Sequence, residues 1–341
     1  METNNSYKNN SNDTPWIEKY RPKRLSEIVS QNESINILTD TLKTGNLPHL
    51  LLHGGPGTGK TSTINAFCNE LFGPRRVSER VIELNASDER GINIVRGKII
   101  DFAKLAIGTK DSRYLCPDYK IIILDEADAM TKEAQAALRK VMEENSNITR
   151  FCFICNYINQ IIEPINSRCV KIRFKPIDKY NLVDKLKSIS IAEGLKINDK
   201  VFESISEISC GDLRKSILML QNIKYFKGTN NLSNSITITS NDVYNMCKYI
   251  TKEQMAKYLN KINNNSNIIE IIKIAKMIIT NGYVFNSIID TIIKNIIDND
   301  SYEDKIKATI FFEISNIEKS INDGANEYIQ LLKLLTMISK Y

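Results

Sequence analysis

The chain has 341 residues, 42% of them hydrophobic and 25% charged, which is typical of folded globular proteins and excludes a disordered or fibrous one. A net charge of +6 is too small to prove an acidic partner, and seven widely spread cysteines, an odd number, argue against a disulfide framework and export. The apolar runs are shorter than the roughly 18 residues of a membrane span, so we expect a soluble intracellular protein of two or three domains.

The amino-terminal half of the chain consists of a polar tail followed by an alternating pattern. Residues 1–14 are polar and rich in asparagine, which predicts a disordered tail and neither a signal peptide nor a membrane anchor. From residue 15 to 176, short apolar runs such as Leu50–Leu52, Ile121–Leu124 and Phe151–Ile154 alternate with helical patterns. This alternation predicts an α/β domain whose parallel sheet is covered on both faces.

The carboxyl-terminal part has a different texture. After Pro176 the spacing of isoleucine and leucine becomes helical, so residues 177–238 are predicted to form a small helical domain. The polar stretch 227–235 is typical of a loop, and helical periodicity continues from there to Tyr341. Residues 239–341 are therefore predicted to form a separate, all-helical domain.

The most specific motif follows the apolar run that ends at His53. It reads Gly54-Gly55-Pro56-Gly57-Thr58-Gly59-Lys60-Thr61, which matches G-x-x-x-x-G-K-[ST] between a strand and a helical run. Glycines let backbone N–H groups surround phosphates, and the helix N-terminus faces the same anion. Lys60 is expected to reach the β and γ phosphates, and the Thr61 hydroxyl to bind Mg²⁺. The motif predicts a site for ATP and Mg²⁺ that extends from Gly54 through Ser62.

Acidic residues follow the apolar run Ile121–Leu124. Asp125 and Glu126 thereby come to the carboxyl edge of a buried strand, where α/β sheets bind their ligands. We expect Asp125 to hold Mg²⁺ and Glu126 to polarise the attacking water. The alternative is a solvated helix N-terminus, where acidic residues favourably meet the helix dipole.

Polar and sulfur-containing residues of the next apolar run need separate interpretations. Asn156 follows this run at the same sheet edge, where it can hydrogen-bond the γ-phosphate or the water, although asparagine after a strand is often only a turn residue. Cys152 and Cys155 are three apart in a predicted strand and face opposite sides of the sheet. This spacing favours core packing over a zinc site.

Several longer blocks occur in order between Pro15 and Gln221. They are Pro15-Trp16-Ile17-Glu18-Lys19-Tyr20-Arg21-Pro22, Glu83-Leu84-Asn85-Ala86-Ser87-Asp88-Glu89-Arg90-Gly91, Leu124-Asp125-Glu126-Ala127-Asp128, Ser167-Arg168-Cys169 and Gly211-Asp212-Leu213-Arg214. Together with the phosphate-binding motif they resemble the clamp-loader branch of the AAA+ ATPases, specifically the small subunits of eukaryotic replication factor C. The resemblance implies a RecA-like ATPase domain, a helical lid, and a helical collar that joins a hetero-oligomer of five subunits.

The resemblance also implies roles that spacing does not reveal. It places Ile17 and Arg21 near the nucleotide, makes Asn156 a first sensor, and makes Arg214 a second sensor that reaches from the lid. Arg168 resembles the arginine finger that acts in trans on the ATP of a neighbouring subunit. A permanently charged guanidinium suits the charge of a transferring phosphoryl group. Without the motif, Arg168 and Arg214 would be interpreted as ordinary surface arginines.

A basic cluster accompanies the second block. Arg90, Arg96 and Lys98 lie at the start of a predicted helix, where N–H groups and positive charge together can hold phosphate. We hypothesise that they contact the backbone of primer–template DNA without reading bases. Solvated helix charges are the alternative.

The sequence therefore predicts an ATP-dependent, nuclear clamp-loader subunit that works with other clamp-loader subunits, a sliding clamp and primer–template DNA, and with no membrane. ATP binding is expected to assemble a state that holds clamp and DNA, and hydrolysis to release the clamp. Two alternatives stay open. One is a structural, nucleotide-holding subunit that mainly contributes Arg168, and the other is a related AAA+ helicase or remodeller.

Overall fold

A computed structural model of the chain describes residues 14–86, 97–102, 105, 111–229, 238–262, 267–300 and 302–340. The chain divides into two compact units, Met1–Ser235 and Ile236–Tyr341. The tail predicted for residues 1–14 lies outside the described residues except for Thr14. Among the described helices, none is both long and apolar enough to span a bilayer.

The described part of the first unit contains a sheet of five parallel strands, β1 Leu50–Gly54, β2 Val81–Asn85, β3 Lys120–Asp125, β4 Thr149–Cys155 and β5 Val170–Phe174. Their order in the sheet is β2-β3-β4-β1-β5. In the register of the sheet, His53 pairs with Cys155, and Leu124 pairs with Phe153. The carboxyl ends of β1, β3 and β4 therefore meet at one edge.

The central strands are apolar on both faces because each face supports its own core. In β3, Ile123 packs in the core cluster that includes Phe67, whereas Leu124 packs in a second cluster on the opposite face. Cys152 belongs to the first cluster and Cys155 to the second, so the two sulfur atoms diverge as their spacing predicts.

Helices surround this sheet and then continue as a bundle. The phosphate-binding loop Gly54–Thr61, which we call the P-loop, leads into the P-loop helix Lys60–Phe72. The last three helices of the unit pack on one another, and we call them the lid helices. Residues 97–102 are also helical. The helices are Trp16–Lys19, Asn32–Thr44, Lys60–Phe72, Val77–Arg80, Lys132–Glu144, Glu163–Asn166 and the lid helices Lys179–Ala192, Asp199–Ser209 and Leu213–Thr229, with 3₁₀ turns at Leu25–Glu27, Ala127–Ala129 and Ile158–Gln160.

The second unit is helical in its described residues. Ile271, Ile274 and Ile278 show the spacing that places apolar side chains on one helix face, and all three are buried in a common core. Thr239 and Thr251 begin their helices with capping boxes, which satisfy backbone N–H groups of the first turn. The helices are Ser240–Met246, Lys252–Leu259, Ile268–Thr280, Phe285–Ile297, Asp304–Asn322 and Glu327–Ile338.

Candidate active site

The P-loop requires glycine at positions where its backbone is crowded or left-handed. Gly57 has a φ of +64°, and a Cβ atom there would lie 1.8 Å from Oδ1 of Asp212. A Cβ atom on Gly54 would lie 2.2 Å from the carbonyl oxygen of Phe174, at the end of β5. Only glycine allows both close approaches, so the loop is shaped by its neighbours as well as by its own sequence.

Lys60 is held at the carboxyl edge of the sheet by three oxygen atoms. Its ammonium group donates to the carbonyl oxygens of Gly54 (2.7 Å) and Gly55 (2.8 Å) and to Oδ1 of Asn156 (2.9 Å). Lys60 is only 8% exposed, and burial lowers its pKa, an effect that the nearby carboxylate of Asp125 opposes. All three hydrogen-bond acceptors are neutral groups, so an anion that enters the site gains a direct charged partner.

A hydroxyl and a carboxylate meet beside Lys60. Thr61 Oγ1 donates to Asp125 Oδ2 at 2.7 Å, and Asp125 Oδ1 accepts from the backbone N–H of Glu126 at 2.8 Å. These are the oxygen types that Mg²⁺ binds in phosphate-transfer sites, so the pair fits a magnesium ion by its donor chemistry. Glu126 is exposed and has a left-handed backbone with a φ of 53°, an uncommon conformation for a residue with a Cβ atom.

The turn after β4 is fixed by a residue to which the sequence had assigned no role. Asp128 Oδ2 accepts from the backbone N–H groups of Asn156 (3.0 Å) and Tyr157 (3.1 Å). This arrangement orients the Asn156 side chain toward Lys60. Its place three residues after Asp125 was the available sequence signal.

Gln31 is a second residue that sequence reasoning missed. It is 4% exposed, and its amide nitrogen donates to the carbonyl oxygens of Lys175 (2.8 Å) and Thr58 (3.4 Å). Its amide oxygen accepts from the backbone N–H of Lys175. Gln31 therefore connects the P-loop to the chain that leaves β5. No short motif marks such a residue.

The lid reaches the P-loop through the start of its last helix. The backbone N–H of Leu213 donates to the carbonyl oxygen of Gly57 at 3.2 Å. In the same turn, Asp212 Oδ1 accepts from the backbone N–H of Lys215 at 3.0 Å. Arg214, next in sequence to Leu213, lies on the side of the lid that faces the P-loop.

A cavity of about 290 Å³ lies at this edge of the sheet, between the P-loop, the segment 17–22 and the lid. Gly54 and Gly55 are absent from its described walls and instead accept hydrogen bonds from Lys60. The predicted residues in its walls are Ile17, Arg21, Pro56, Gly57, Thr58, Gly59, Lys60, Thr61, Ser62, Asp125, Glu126, Asn156 and Arg214.

The other predicted residues lie elsewhere. Among the described residues, Arg168 is not part of the cavity walls; its guanidinium contacts Glu143 Oε1 (2.7 Å) and the carbonyl oxygen of Pro164 (2.8 Å). Lys98 lies in the helical stretch 97–102. Arg90 and Arg96 fall outside the described residues.

Three family models match successive parts of the chain. The ATPase family associated with various cellular activities (AAA) matches residues 50–177. An RCF1/5-like, AAA+ ATPase lid domain matches residues 184–225, and the replication factor C C-terminal domain matches residues 250–336. The first two matches cover the P-loop, the acidic residues and the lid, but not the cavity walls that residues 17–29 contribute.

Similar proteins extend over nearly the whole chain. It is 44% identical over 330 residues to replication factor C subunit 2 of Saccharomyces cerevisiae, which covers 96% of this chain and 93% of that protein. It is 40% identical over 325 residues to human replication factor C subunit 4, with coverages of 95% and 87%. It is also 40% identical over 326 residues to a replication factor C small subunit of Picrophilus torridus, with coverages of 95% and 96%.

Solved structures show a likeness of fold. The RuvB Holliday junction branch migration motor of Thermotoga maritima has a TM-score of 0.53 at 18% sequence identity, over 71% of this chain and 79% of that chain. A point mutant of the same RuvB has a TM-score of 0.54 at 17% identity, over 72% and 79%. At such low identity the likeness concerns the arrangement of sheet and helices alone.

Proposed function

Because the chain belongs to the replication factor C family of AAA ATPases, we propose that it is an ATP-dependent clamp-loader subunit. In this proposal it joins other clamp-loader subunits in a five-subunit ring and helps to open a sliding clamp and place it on primer–template DNA. We assign its work to the nucleus, where replication takes place in the eukaryotic relatives' cells. For the domains we keep the boundaries 15–176, 177–238 and 239–341.

The observation that carries the proposal is the meeting of Lys60, Thr61 and Asp125 at one wall of the cavity. Lys60 is buried with its charge facing neutral acceptors, and the hydroxyl of Thr61 contacts a carboxylate oxygen of Asp125. A nucleoside triphosphate with Mg²⁺ supplies a partner for each, since phosphate oxygens suit the ammonium group and a divalent cation suits the oxygen pair.

The residues of this cavity have complementary roles toward ATP. The P-loop N–H groups and Lys60 bind the phosphates, and Thr61 and Asp125 would hold Mg²⁺, which neutralises charge on phosphate oxygens. Glu126 polarises the water that attacks the γ-phosphate, and Asn156 hydrogen-bonds the phosphate or the water. Their common position at the carboxyl ends of β1, β3 and β4 supports these assignments.

Arginines from two directions complete the proposed chemistry. Arg214 lies in the cavity wall, and the backbone of its neighbour Leu213 is hydrogen-bonded to the P-loop. In this proposal Arg214 contacts the nucleotide from the lid and so acts as a sensor. Arg168 is 39% exposed and lies away from its own cavity. This location suits an arginine finger, which would contact the ATP of a neighbouring subunit. Its guanidinium would there stabilise negative charge on the transferring phosphoryl group.

The second unit supports assembly with other subunits. Its described helices expose large apolar side chains, among them Ile269, Ile297, Phe312 and Ile329, each more than half exposed. Apolar side chains at a surface leave water when another protein covers them, which favours association. We propose that residues 239–341 form the collar of the ring.

The DNA contact is proposed for the basic residues Arg90, Arg96 and Lys98. Replacing Arg96 and Lys98 together by glutamate should weaken the stimulation of ATP hydrolysis by primed DNA, because phosphate contacts of this kind depend on charge. Unchanged stimulation by DNA would remove this assignment without touching the ATP site.

The decisive experiment measures ATP hydrolysis by the purified complex, with and without clamp and primed DNA. Glu126→Gln should leave ATP binding intact and slow turnover at this site by roughly 10²- to 10⁴-fold, the usual worth of general-base catalysis. Glu144→Gln removes another exposed carboxylate, from the end of a helix, and serves as the matched control.

Each other outcome identifies a different function. If Glu126→Gln leaves clamp-stimulated hydrolysis unchanged while Arg168→Ala abolishes it, the chain is a nucleotide-holding subunit that acts on its neighbour. If the complex separates DNA strands processively without a clamp, it is a helicase or remodeller. A complex that fails to bind ATP at millimolar concentration with Mg²⁺ would contradict both the site and the motor function.

A further inference from the structure

A nearly buried carboxylate joins two parts of the chain that are distant in sequence. Glu193 follows the first lid helix, and its side chain is only 5% exposed. Its Oε1 accepts from Lys19 Nζ at 2.5 Å and from the Tyr20 hydroxyl at 2.6 Å, whereas its Oε2 accepts from Lys224 Nζ at 2.6 Å. Both oxygen atoms of Glu193 are therefore used, one for the amino-terminal segment and one for the last lid helix.

Trp16 reinforces the same junction. Its buried ring lies under the ammonium group of Lys224, 5.2 Å from the ring centroid, and meets the ring of Tyr20 edge-on at 6.3 Å. Its backbone N–H donates to Oε1 of Gln221 at 3.2 Å. We call this set, Trp16, Lys19, Tyr20, Glu193, Gln221 and Lys224, the Glu193 junction.

The carboxylate of Glu193 is largely withdrawn from water, whereas the side chains of Lys19 and Lys224 remain 36% and 43% exposed. Burial by itself would raise the pKa of Glu193, but hydrogen bonds from Lys19, Lys224 and Tyr20 lower it to about 2. Burial and the hydrogen bond to Glu193 raise the pKa of Tyr20 to about 12, so the phenol keeps its proton and donates. Without the carboxylate, two ammonium groups would face each other with no charge between them.

Both sides of the junction continue directly into the walls of the nucleotide cavity. On the amino-terminal side, Ile17 and Arg21 lie next to junction residues in sequence and line the cavity, and so does Tyr20 of the junction itself. On the lid side, Arg214 and Ile217 line it, and Gln221 follows them on the same helix at spacings of three and four residues. Such spacing places them along one helix face, so a single surface runs from the cavity to the junction.

We propose that Glu193 is a positioning residue for nucleotide binding, which fastens residues 16–22 to the lid helices so that both cavity walls move together. Residues 16–22 contribute to the cavity but are joined to the lid by the side-chain contacts of the junction. A lid that changes position as nucleotide enters or leaves carries this amino-terminal wall with it. The inference rests on the proposed ATP site and adds to it a mechanical link that the P-loop and the acidic residues do not supply.

The test compares Glu193→Gln with a matched control in the complete clamp-loader complex. Glu193→Gln keeps the shape of the side chain but removes the charge shared by Lys19 and Lys224. The control is Asp199→Asn, which removes an ion pair with Lys187 (3.0 Å) that lies entirely within the lid helices. The measurements are ATP affinity, by titration, and backbone hydrogen exchange of residues 15–22 and of the lid helices, with and without ATP.

We expect Glu193→Gln to weaken ATP binding about tenfold, because the neutral amide loses the ion pairs to Lys19 and Lys224 through which the nearly buried carboxylate joins the two cavity walls. ATP should still slow hydrogen exchange at the start of the last lid helix, but no longer in residues 15–22. Asp199→Asn should show the wild-type pattern. Lys19→Met is the second variant, since it leaves Glu193 paired with Lys224 within the lid but removes its ion pair to the amino-terminal segment, and it should also weaken the coupling of the two regions.

The inference is overturned if ATP protects residues 15–22 and the lid equally in Glu193→Gln and in the wild type, or if Asp199→Asn uncouples them as strongly. Should Glu193→Gln fail to fold, undiminished coupled protection in Lys19→Met would overturn the inference by itself. Wild-type complex that shows no ATP binding would instead refute the proposed ATP site, so the two failures are distinct.

Discussion

Replacing Gly57 by alanine tests how the P-loop and the lid depend on each other. The backbone of Gly57 is left-handed, with a φ of +64°, which costs a residue with a Cβ atom roughly 1–2 kcal/mol. The new Cβ atom would also lie 1.8 Å from Asp212 Oδ1, so Asp212 must move. This displaces its hydrogen bond to the backbone N–H of Lys215, and the loss of a helix-capping contact costs about 1 kcal/mol.

The sum, about 2–3 kcal/mol, falls on the contact between the phosphate-binding loop and the lid. If ATP binding must restore this contact, about 2 kcal/mol of the binding free energy is lost, and the affinity for ATP falls roughly 30-fold. Gly55→Ala is the matched control in the same loop, because its Cβ atom would meet Thr58 Cγ2 at an ordinary 3.9 Å. Titration with ATP should therefore show strong weakening for Gly57→Ala and a change within about twofold for Gly55→Ala. Equal affinities for the two variants would refute the reasoning.

Three further predictions concern single groups. Thr61→Ala should raise the Mg²⁺ concentration needed for half-maximal hydrolysis, whereas Thr61→Ser, which keeps the hydroxyl, should not; equal Mg²⁺ dependence of both would contradict the metal assignment. Asp128→Ala leaves the N–H groups of the turn at Asn156 without their acceptor and should lower kcat about tenfold or more with ATP affinity less affected, as measured by steady-state kinetics and titration. Since the folded-state pKa of Glu193, about 2, lies below its ordinary 4.5, its ionised form stabilises the fold above about pH 5, and this contribution is lost as the pH falls toward 2. The difference in melting temperature between wild type and Glu193→Gln should accordingly become smaller from about pH 7 to about pH 3. A difference that does not change with pH would contradict a stabilising contribution of the ionised carboxylate.

The fold class and the family were both accessible from the sequence and are confirmed. The parallel sheet followed from apolar runs such as Ile121–Leu124, which lie buried in a strand with one core on each face. Residues 50–177, 184–225 and 250–336 match an AAA domain, a lid domain and a replication factor C C-terminal domain, which agrees with the resemblance drawn from the blocks between Pro15 and Gln221. The roles of individual site residues stay predictions.

Site residues were predictable where neighbours in sequence are also neighbours in space. Lys60 and Thr61 sit in one contiguous motif, and Asp125 comes directly after its strand. Because parallel strands end at a common edge, these local patterns were enough to predict one shared site. The cavity walls indeed contain Lys60, Thr61 and Asp125 together with Asn156.

The amino-acid sequence by itself thus determined the family and predicted the glycine-rich loop and the acidic pair as parts of one site, since each is a run of contiguous residues. Only the tertiary structure decided which distant groups support them. Gln31 meets the chain after β5 across 144 residues, and Glu193 meets Lys19 across 174. A lone buried glutamine or glutamate has no local pattern, because its partners are selected by the packing of the folded chain and not by its neighbours in sequence.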